Sequence, residues 1–585
     1  MKTLELFNAV VAKPSKSVDP FVSDQGFVVT PDAAWAKDRI VAFYGQNKLD
    51  GNDLNKGFHK SFARVRNSSR FELAMEQIRH YASTYGSNFE DEMYIPDEVL
   101  EVPDVKLTFK VVRGLTVEEM TERCLDMLRS GIALTEETVD SLLSILHDEL
   151  NYSFTGKEGV KNKEAIIKIA DAYGVIPDDT MEFFRYVIYR ATGETLLIKN
   201  DKAIAAIKES SFNPSVQFRA HGVDRLATIF NRFKPLFLAF KGRCPAVINK
   251  ISKLSKTRHK PVPQNALNEV TSRVLTTCDL HWLDNATPFA VFKAMTAVFN
   301  RMQGQTVFNY RIRNGKSWVK EGNAPKVLDM VQNFNFLSDY ATKRWNLLGT
   351  KVFLPEDVSY AVPTSEKMFV GNIPTGSKFF GEKLCVGIYW ENAWGARDLD
   401  LSASAITGEK IGWNAGYSTG LLTYSGDITN APSGAVEYLH CKSGTNQPWL
   451  VHNNVYSGSD TSGYKIIVGA GDSVDKKFLM DPNKVTMEVR TEAVQKQMIL
   501  GMFLPESNDT QSFVLLNFGA GHARVGGRNT LGVQALYEQY KSVFDFGLLL
   551  QTLGAEVVTE IDPEDEVLDF SVDKLTKDSF TKLFK

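Results

Sequence analysis

Two aspartates alternate with leucines in the stretch "ARDLDLSASA", which covers residues 396–405. Successive side chains of a β-strand point to opposite faces, so Asp398 and Asp400 share one face while Leu399 and Leu401 share the other. The pattern predicts a strand with one apolar face against a core and a second face that carries two carboxylates. Neighbouring carboxylates are typical ligands of a hard cation such as calcium.

Two further acids follow this strand in the sequence. The stretch "TYSGDITNAPSGAVEYLH" places Asp427 after a Ser-Gly turn and Glu437 on the next predicted strand. Calcium takes oxygen ligands, mostly carboxylates and carbonyls on turns. We therefore predict a calcium site formed by Asp398, Asp400, Asp427 and Glu437. The alternative is that these acids line the solvated face of a sheet or cap turns and bind no metal.

The same residues carry a resemblance to a known family. The stretch "VGIYWENAWGARDLDLSASA", followed by "YSGD", resembles the bacterial tellurium-resistance TerD family, over at most residues 386–472. The resemblance implies a β-sandwich and calcium-ligand roles for Asp398, Asp400 and Asp427. The family has an acidic run after the turn, whereas this chain has "ITNAPSGAVE", which leaves only Glu437. A second calcium site is therefore not expected.

A basic segment is the second candidate for binding chemistry. Residues 219–260 contain eleven Lys and Arg residues against one acid, with phenylalanines interleaved. A later hairpin, residues 305–322, adds cations beside aromatic residues. Cations that neutralise phosphates, next to exposed rings, are typical of a nucleic-acid surface. The predicted nucleic-acid-binding residues are Arg243, Lys250, Lys253, Lys256, Arg258, Lys260, Arg311, Arg313, Lys316 and Trp318.

The alternative for the basic segment is an ordinary helix. Phe230, Phe233, Phe237 and Phe240 recur at helical spacing, which is more typical of a buried stripe than of a platform for bases. The cations would then form a solvated face balanced by acids from other parts of the chain.

The distribution of elements predicts a multidomain α+β protein. Residues 1–350 read as a stacked α-helical domain with short turns, and Asn314-Gly315 between two β-rich runs predicts a β-hairpin. Residues 351–530 read as short strands separated by Gly, Asn and Asp, which predicts an antiparallel β-sandwich. Residues 531–585 read as a helical C-terminal extension with an acidic tail. The helical array with its basic face is similar in layout to the TROVE module of Ro-type RNA-binding proteins, in segments such as "INKISKLSKTRHKP".

Composition and motifs narrow the functional classes. The 585 residues are 43% apolar and 23% charged with a net charge of −3, and the five cysteines are scattered. No HExxH motif and no complete catalytic motif is present, so we expect no enzyme. No run of 18 apolar residues occurs and the N-terminus lacks a signal-peptide pattern, so we expect no membrane partner and a cytoplasmic location.

These observations give two hypotheses for function. The first is a non-enzymatic binding or scaffold protein, whose helical domain binds RNA or another partner and whose TerD-like sandwich binds calcium. The second is a phage-encoded virion structural or assembly protein, whose sandwich makes contacts with other proteins or with further copies of the chain. The expected location is a bacterial cell, a phage-infected cell or a virion.

Overall fold

The structure is a computed structural model that describes most of the chain. The described residues are 2–23, 27–45, 48–56, 69, 71, 72, 75, 78, 110–259, 266–284, 286–311, 317–321, 326–442, 447–459, 461–470, 480–506, 510–520, 530–562 and 565–584. Among these residues, no helix has the length and the apolar character that a membrane crossing requires.

Among the described residues up to Leu115, four strands form a small sheet that the predicted helical array does not include. The strands β1 (Ala9–Val11), β2 (Phe21–Val22), β3 (Phe27–Val29) and β4 (Lys110–Leu115) lie in the order β1-β4-β3-β2. Short helices accompany them in the described part of this stretch, among them α1 (Lys2–Phe7), α2 (Lys37–Gly45) and α3 (Gly51–Leu54). Runs such as "AVV" and "FVV" are rich in β-branched residues, which favour strands. The sequence pattern did not predict these two strands, because each of them is only three residues long.

Residues 117–344 are mainly helical, as predicted. The helices are α4 (Val117–Arg129), α5 (Glu136–Ser144), α6 (Lys163–Tyr173), α7 (Thr180–Thr192), α8 (Asp201–Glu209), α9 (Ser215–His221), α10 (Val223–Phe230), α11 (Lys234–Ala239), α12 (Pro245–Leu254), α13 (Ala266–Ser272), α14 (Leu280–Asp284), α15 (Pro288–Met302) and α16 (Val327–Arg344). The predicted hairpin is present as β5 (Val307–Arg311) and β6 (Ser317–Glu321), which pair antiparallel. Thr116 and Glu119 form a reciprocal capping box that starts α4.

The region after residue 350 is rich in strands, so the chain has the mixed α+β character that the sequence predicts. Its shorter strands are β7 (Lys351–Phe353), β8 (Val358–Ser359), β9 (Phe369–Val370), β10 (Ile373–Pro374), β11 (Lys378–Gly381), β14 (Lys410–Gly412) and β15 (Leu422–Tyr424). Its longer strands are β12 (Leu384–Trp390), β13 (Ala396–Ala405), β16 (Ala435–Cys441), β17 (Trp449–Gly458), β18 (Gly463–Ala470), β19 (Val485–Glu492), β20 (Gln497–Pro505) and β21 (Gln511–Gly519).

Most of these strands belong to two antiparallel sheets. Within the described residues, seven strands follow the order β14-β13-β17-β20-β21-β11-β8, and five follow the order β15-β16-β12-β18-β19. Residues of both sheets, such as Leu401 of β13 and Leu439 of β16, lie in one hydrophobic cluster and are fully buried. The apolar faces of the two sheets therefore contribute to the same core.

The same cluster extends into the helical region. Phe289 and Phe292 of α15 belong to it, and the ring of Phe584 lies 4.7 Å from that of Phe292, centroid to centroid. Near the C-terminus, Asp578 forms a salt bridge of 2.6 Å with Arg123 of α4. The C-terminal residues therefore pack against helices that lie more than 250 positions earlier in the sequence.

The C-terminal extension contains helices, as predicted, and also strands. Its helices are α17 (Thr530–Tyr540) and α18 (Phe546–Thr552), and its strands are β22 (Glu556–Val558) and β23 (Val567–Asp569). Both strands pair parallel with β7, one on each side. Leu536 and Tyr540 of α17 pack on the seven-stranded sheet against Met502 and Val514. The extension therefore continues the fold of the strand-rich region.

Candidate metal centre and basic helical face

Asp398 and Asp400 lie on β13, whose bounds are those of the stretch that predicted a strand, residues 396–405. This strand pairs along its length with β17, with register shifts on both sides of Asp398. Such a bulge turns a side chain away from the regular alternation. Both carboxylates are buried, with exposed fractions of 6% for Asp398 and 2% for Asp400. The idea that these acids line a solvated face is therefore wrong.

A glycine turn brings the third acid to this strand. Gly426 has a φ of 121°, which a residue with a Cβ rarely adopts, and Asp427 follows it. Each of Asp398, Asp400 and Asp427 offers a carboxylate oxygen, and these oxygens lie within 4.8 Å of one another. We call these three residues the aspartate cluster. Two belong to the seven-stranded sheet, and the third lies between β15 and β16 of the five-stranded sheet.

The carboxylates of the aspartate cluster lack compensation from the described protein atoms. One buried oxygen of each has no hydrogen-bond partner: Oδ1 of Asp398, Oδ2 of Asp400 and Oδ1 of Asp427. A buried, unpaired charge costs far more free energy than an exposed one, so such groups are normally paired or bind a metal. The arrangement is therefore that of a site for a positive ligand.

The pKa values of the three carboxyls reflect this environment. Burial raises the pKa of Asp427 to about 6. Burial and the charge of Asp427 raise the pKa of Asp398 to about 7. Burial and the charges of Asp398 and Asp427 raise the pKa of Asp400 to about 8, against a smaller opposite effect of Lys410. A cation between the three oxygens would offset both causes of this shift, because it stabilises the ionised carboxylates.

Glu437 has a different role from the ligand role predicted for it. Its Oε2 accepts hydrogen bonds from Leu401 N at 2.8 Å and from Tyr424 Oη at 2.6 Å. Its Oε1 accepts from Ile428 N at 2.8 Å. Because β14 pairs only with residues 402–404 of β13, Leu401 N lies at the strand edge and needs this acceptor. Glu437 therefore fastens the turn after Asp427 to β13, and we do not retain it as a metal ligand.

Asn454 belongs near the aspartate cluster and was missed by sequence reasoning. It lies directly opposite Asp400 on β17 and is 2% exposed. Its Nδ2 donates to the backbone oxygen of Asp400 at 3.5 Å, while its Oδ1 has no partner. Directly opposite residues of antiparallel strands share a face, so Asn454 presents a neutral oxygen beside the carboxylates. Only the strand register reveals it, because 54 positions separate the two residues.

The basic segment lies on short helices of the helical region. Arg243, Lys250, Lys253, Lys256 and Arg258 are all exposed. Arg258 pairs with Asp224 at 3.3 Å, and Arg243 Nε donates to Ser210 O at 3.0 Å. No ion pair with a described residue is found for Lys250, Lys253 or Lys256. We call these three lysines the basic face.

The phenylalanines of the basic segment were predicted to lie next to the cations on a nucleic-acid surface, and this part of the prediction is wrong. The four phenylalanines of the stripe are between 0% and 5% exposed and belong to a second hydrophobic cluster: Phe230, Phe233, Phe237 and Phe240. The ring of Phe237 stacks on that of Phe184 with centroids 3.9 Å apart. The helical spacing indicated a core, and these rings are not available to stack on bases.

The other predicted nucleic-acid residues stay predictions. Lys260, Arg313 and Lys316 lie outside the described residues. For Arg311 and Trp318 only the backbone is described, and both lie on the hairpin, with Arg311 opposite Ser317 and Trp318 opposite Tyr310.

Comparisons with known proteins give no family for the chain. No family model matches it, and no curated protein matches it. Among solved structures, a match is found to one described as "Crystal structure of unknown function protein SAV2460". That match has 11% sequence identity, a TM-score of 0.20, and covers 26% of this chain and 96% of the other. A TM-score this low carries no argument about fold or function.

Proposed function

We propose that this chain is a non-enzymatic scaffold protein that binds calcium in its strand-rich region. The ligands are Asp398, Asp400 and Asp427, and the two antiparallel sheets pack as a β-sandwich of the kind that the TerD resemblance implies. The observation that carries the proposal is the aspartate cluster itself. Its three buried carboxylates converge within 4.8 Å, and each has an oxygen without a partner.

The donor set favours calcium over other cations. All candidate ligand atoms are oxygens, which hard cations prefer, whereas zinc and copper sites usually include nitrogen or sulfur. Calcium–oxygen distances are about 2.3–2.6 Å, so two ligands on opposite sides of one ion lie roughly 5 Å apart. The aspartate oxygens, which lie within 4.8 Å of one another, fit inside that span. Magnesium needs a tighter octahedron, with distances of about 2.0–2.1 Å.

Bound calcium would link the two sheets. Asp398 and Asp400 lie on β13 of the seven-stranded sheet, while Asp427 precedes β16 of the five-stranded sheet. The ion supplies positive charge that offsets the repulsion among the three carboxylates. The chain's own residues hold the geometry, because Glu437 binds both Leu401 N and Ile428 N on either side of the cluster. The scaffold is therefore most rigid when the ion is bound.

Thermal unfolding with and without calcium tests the proposal. Protein treated with a chelator should melt at a higher temperature after calcium is added, because the ion binds only the folded state. The double variant Asp398→Asn, Asp400→Asn should lose this increase, since it removes two ligand charges and keeps the side-chain volume. Glu409→Gln, an exposed acid on the neighbouring β13–β14 turn, is the matched control and should respond as the wild type. No calcium-dependent increase in the wild type would refute the proposal.

A second candidate function is RNA binding by the helical region. It is favoured by the basic face, whose three exposed lysines have no described acidic partner. When such lysines bind phosphates, counterions are released, so the affinity weakens steeply with salt. The triple variant Lys250→Glu, Lys253→Glu, Lys256→Glu should lose binding of a single-stranded RNA in a gel shift at low salt. Equal binding by wild type and variant would exclude this face as the RNA site.

A further inference from the structure

A cleft in the helical region, bordered by Lys367 of the strand-rich region, shares no residue with the aspartate cluster or the basic face. Its volume is about 1000 Å³, at the upper end of the range for small-molecule sites. The turn after α4, the first residues of α6 and α15, and Lys367 of the strand-rich region contribute to its walls. Ala133, Leu196 and Ala290 give it an apolar side. The cleft is therefore large enough for a ligand with a ring system.

Positive charge dominates the polar part of the cleft. The lining contains five cationic side chains, Lys161, Lys163, Arg185, Arg273 and Lys367, and two acidic ones, Glu164 and Glu269.

Both acids of the lining are already paired. Glu164 binds Lys367 at 2.7 Å, and Glu269 binds Arg273 at 2.6 Å. Lys161 and Lys163 are exposed, and no ion pair with a described residue is found for either. These two lysines therefore leave the cleft with an unbalanced positive charge.

Two helices begin at the cleft and add to this charge. α6 has 11 residues and its N-cap is Asn162, while α15 has 15 residues and its N-cap is Thr287. Both N-caps line the cleft. The N-terminus of a helix carries a partial positive charge and favours anions. The helices and the two unpaired lysines therefore favour the same kind of ligand.

We propose that this cleft binds a small phosphorylated metabolite of nucleotide size. Its phosphate groups would lie against Lys161 and Lys163, and its ring system would lie on the apolar side formed by Ala133, Leu196 and Ala290. Because Lys367 comes from the strand-rich region, the ligand touches both halves of the chain. The proposal is independent of calcium binding, since the cleft shares no residue with the aspartate cluster.

Calorimetric titration of the full chain in chelator tests this proposal. The probes are ADP, sodium pyrophosphate and a single-stranded RNA oligonucleotide. ADP should bind once per chain, and pyrophosphate should bind more weakly because it does not reach the apolar side. The double variant Lys161→Glu, Lys163→Glu should weaken ADP binding at least about tenfold, since it removes charge-assisted hydrogen bonds. Lys157→Glu, an exposed lysine of the same segment that does not line the cleft, is the matched control and should bind as the wild type.

Several outcomes would overturn the proposal. They are absence of ADP binding by the wild type at millimolar concentration, and unchanged binding by the double variant. Equal affinity for pyrophosphate and ADP would assign the site to free phosphate groups instead of a nucleotide-sized ligand. RNA binding that the double variant loses, without ADP binding, would assign the cleft to nucleic acid. The exposed position of both lysines keeps the variants folded, which circular dichroism checks.

Discussion

The aspartate cluster and the basic face each gather three like charges, but in opposite environments. The carboxylates of Asp398, Asp400 and Asp427 are at most 8% exposed. The lysines of the basic face are exposed. Burial makes an unpaired charge expensive, and it shifts the pKa of all three carboxyls upward. A buried cluster therefore needs one ligand at one point, whereas an exposed cluster attracts any polyanion in proportion to its charge.

The largest expected effect concerns the aromatic residues beneath the basic face. Phe237→Ala should destabilise the protein by about 3–5 kcal/mol, as expected when a buried ring is removed from a core. Leu238→Ala is the control, because Leu238 is 39% exposed and should cost far less. Chemical denaturation measures both. Equal and small decreases in stability would show that Phe237 is not a core residue, and the comparison between the two regions would fail.

Removal of the Glu437 carboxylate should have the next largest effect. Glu437→Ala leaves Leu401 N, Ile428 N and Tyr424 Oη without their acceptor, which should cost about 3 kcal/mol. Glu437→Gln keeps one carbonyl oxygen and should cost less. Both variants should also bind calcium more weakly, because the turn after Asp427 is no longer fastened to β13. An alanine variant as stable as the wild type would contradict the role of Glu437.

The pH dependence of stability should separate the two regions. The carboxyls of the aspartate cluster have pKa values of about 6 to 8 when folded, above the ordinary value near 4. Between about pH 4 and 8 the folded state therefore binds more protons than the unfolded state. The contribution of these carboxyls to the free energy of unfolding is complete below about pH 4. It decreases as the pH rises through about 6–8. Without calcium, the free energy of unfolding should fall above about pH 5 by about 1.4 kcal/mol per pH unit for each carboxyl that is still protonated in the folded state.

Comparison with the variant Asp398→Asn, Asp400→Asn isolates this contribution. Buried His440 and His452 have pKa values lowered to about 4 by burial, and they act in the opposite direction, so that their contribution to stability falls as the pH falls. The variant keeps both histidines, so the difference between the two proteins reports Asp398, Asp400 and Glu437, whose pKa is raised by burial and by the charges of Asp400 and Asp427. Parallel stability curves for wild type and variant would contradict the raised pKa values.

The smallest expected effect on stability belongs to the basic face itself. The triple variant Lys250→Glu, Lys253→Glu, Lys256→Glu should change the free energy of unfolding by less than about 0.5 kcal/mol, as exposed substitutions usually do. Its RNA affinity should nevertheless fall, and the dependence of affinity on salt should become shallower by about 0.7 for each phosphate that is no longer neutralised. A large decrease in stability would mean that these lysines are part of the fold.

Local patterns predicted local structure well. The alternation in residues 396–405 predicted the bounds of β13, and Asn314-Gly315 predicted the hairpin of β5 and β6. Such features depend on neighbours within a few positions. The helical stripe through Phe237 likewise indicated a core.

Contacts between residues far apart in the sequence could not be predicted from local patterns. Asn454 lies opposite Asp400 only through the register of β13 and β17. Glu437 looked like one more acidic ligand, but three donors from residues before it occupy its oxygens. The burial of the three aspartates also depends on how the five-stranded sheet and its turns pack over them. The sequence therefore identified the aspartate cluster and could not describe its environment.

Calcium titration of the chelator-treated wild type by calorimetry tests calcium binding by the aspartate cluster most directly. We predict saturable binding of one ion per chain, accompanied by release of protons near neutral pH, because the ion displaces protons from carboxyls with raised pKa values. Binding should disappear in the variant Asp398→Asn, Asp400→Asn and persist in Glu409→Gln. Absence of binding by the wild type, or unchanged binding by the double variant, would contradict a calcium site at these residues.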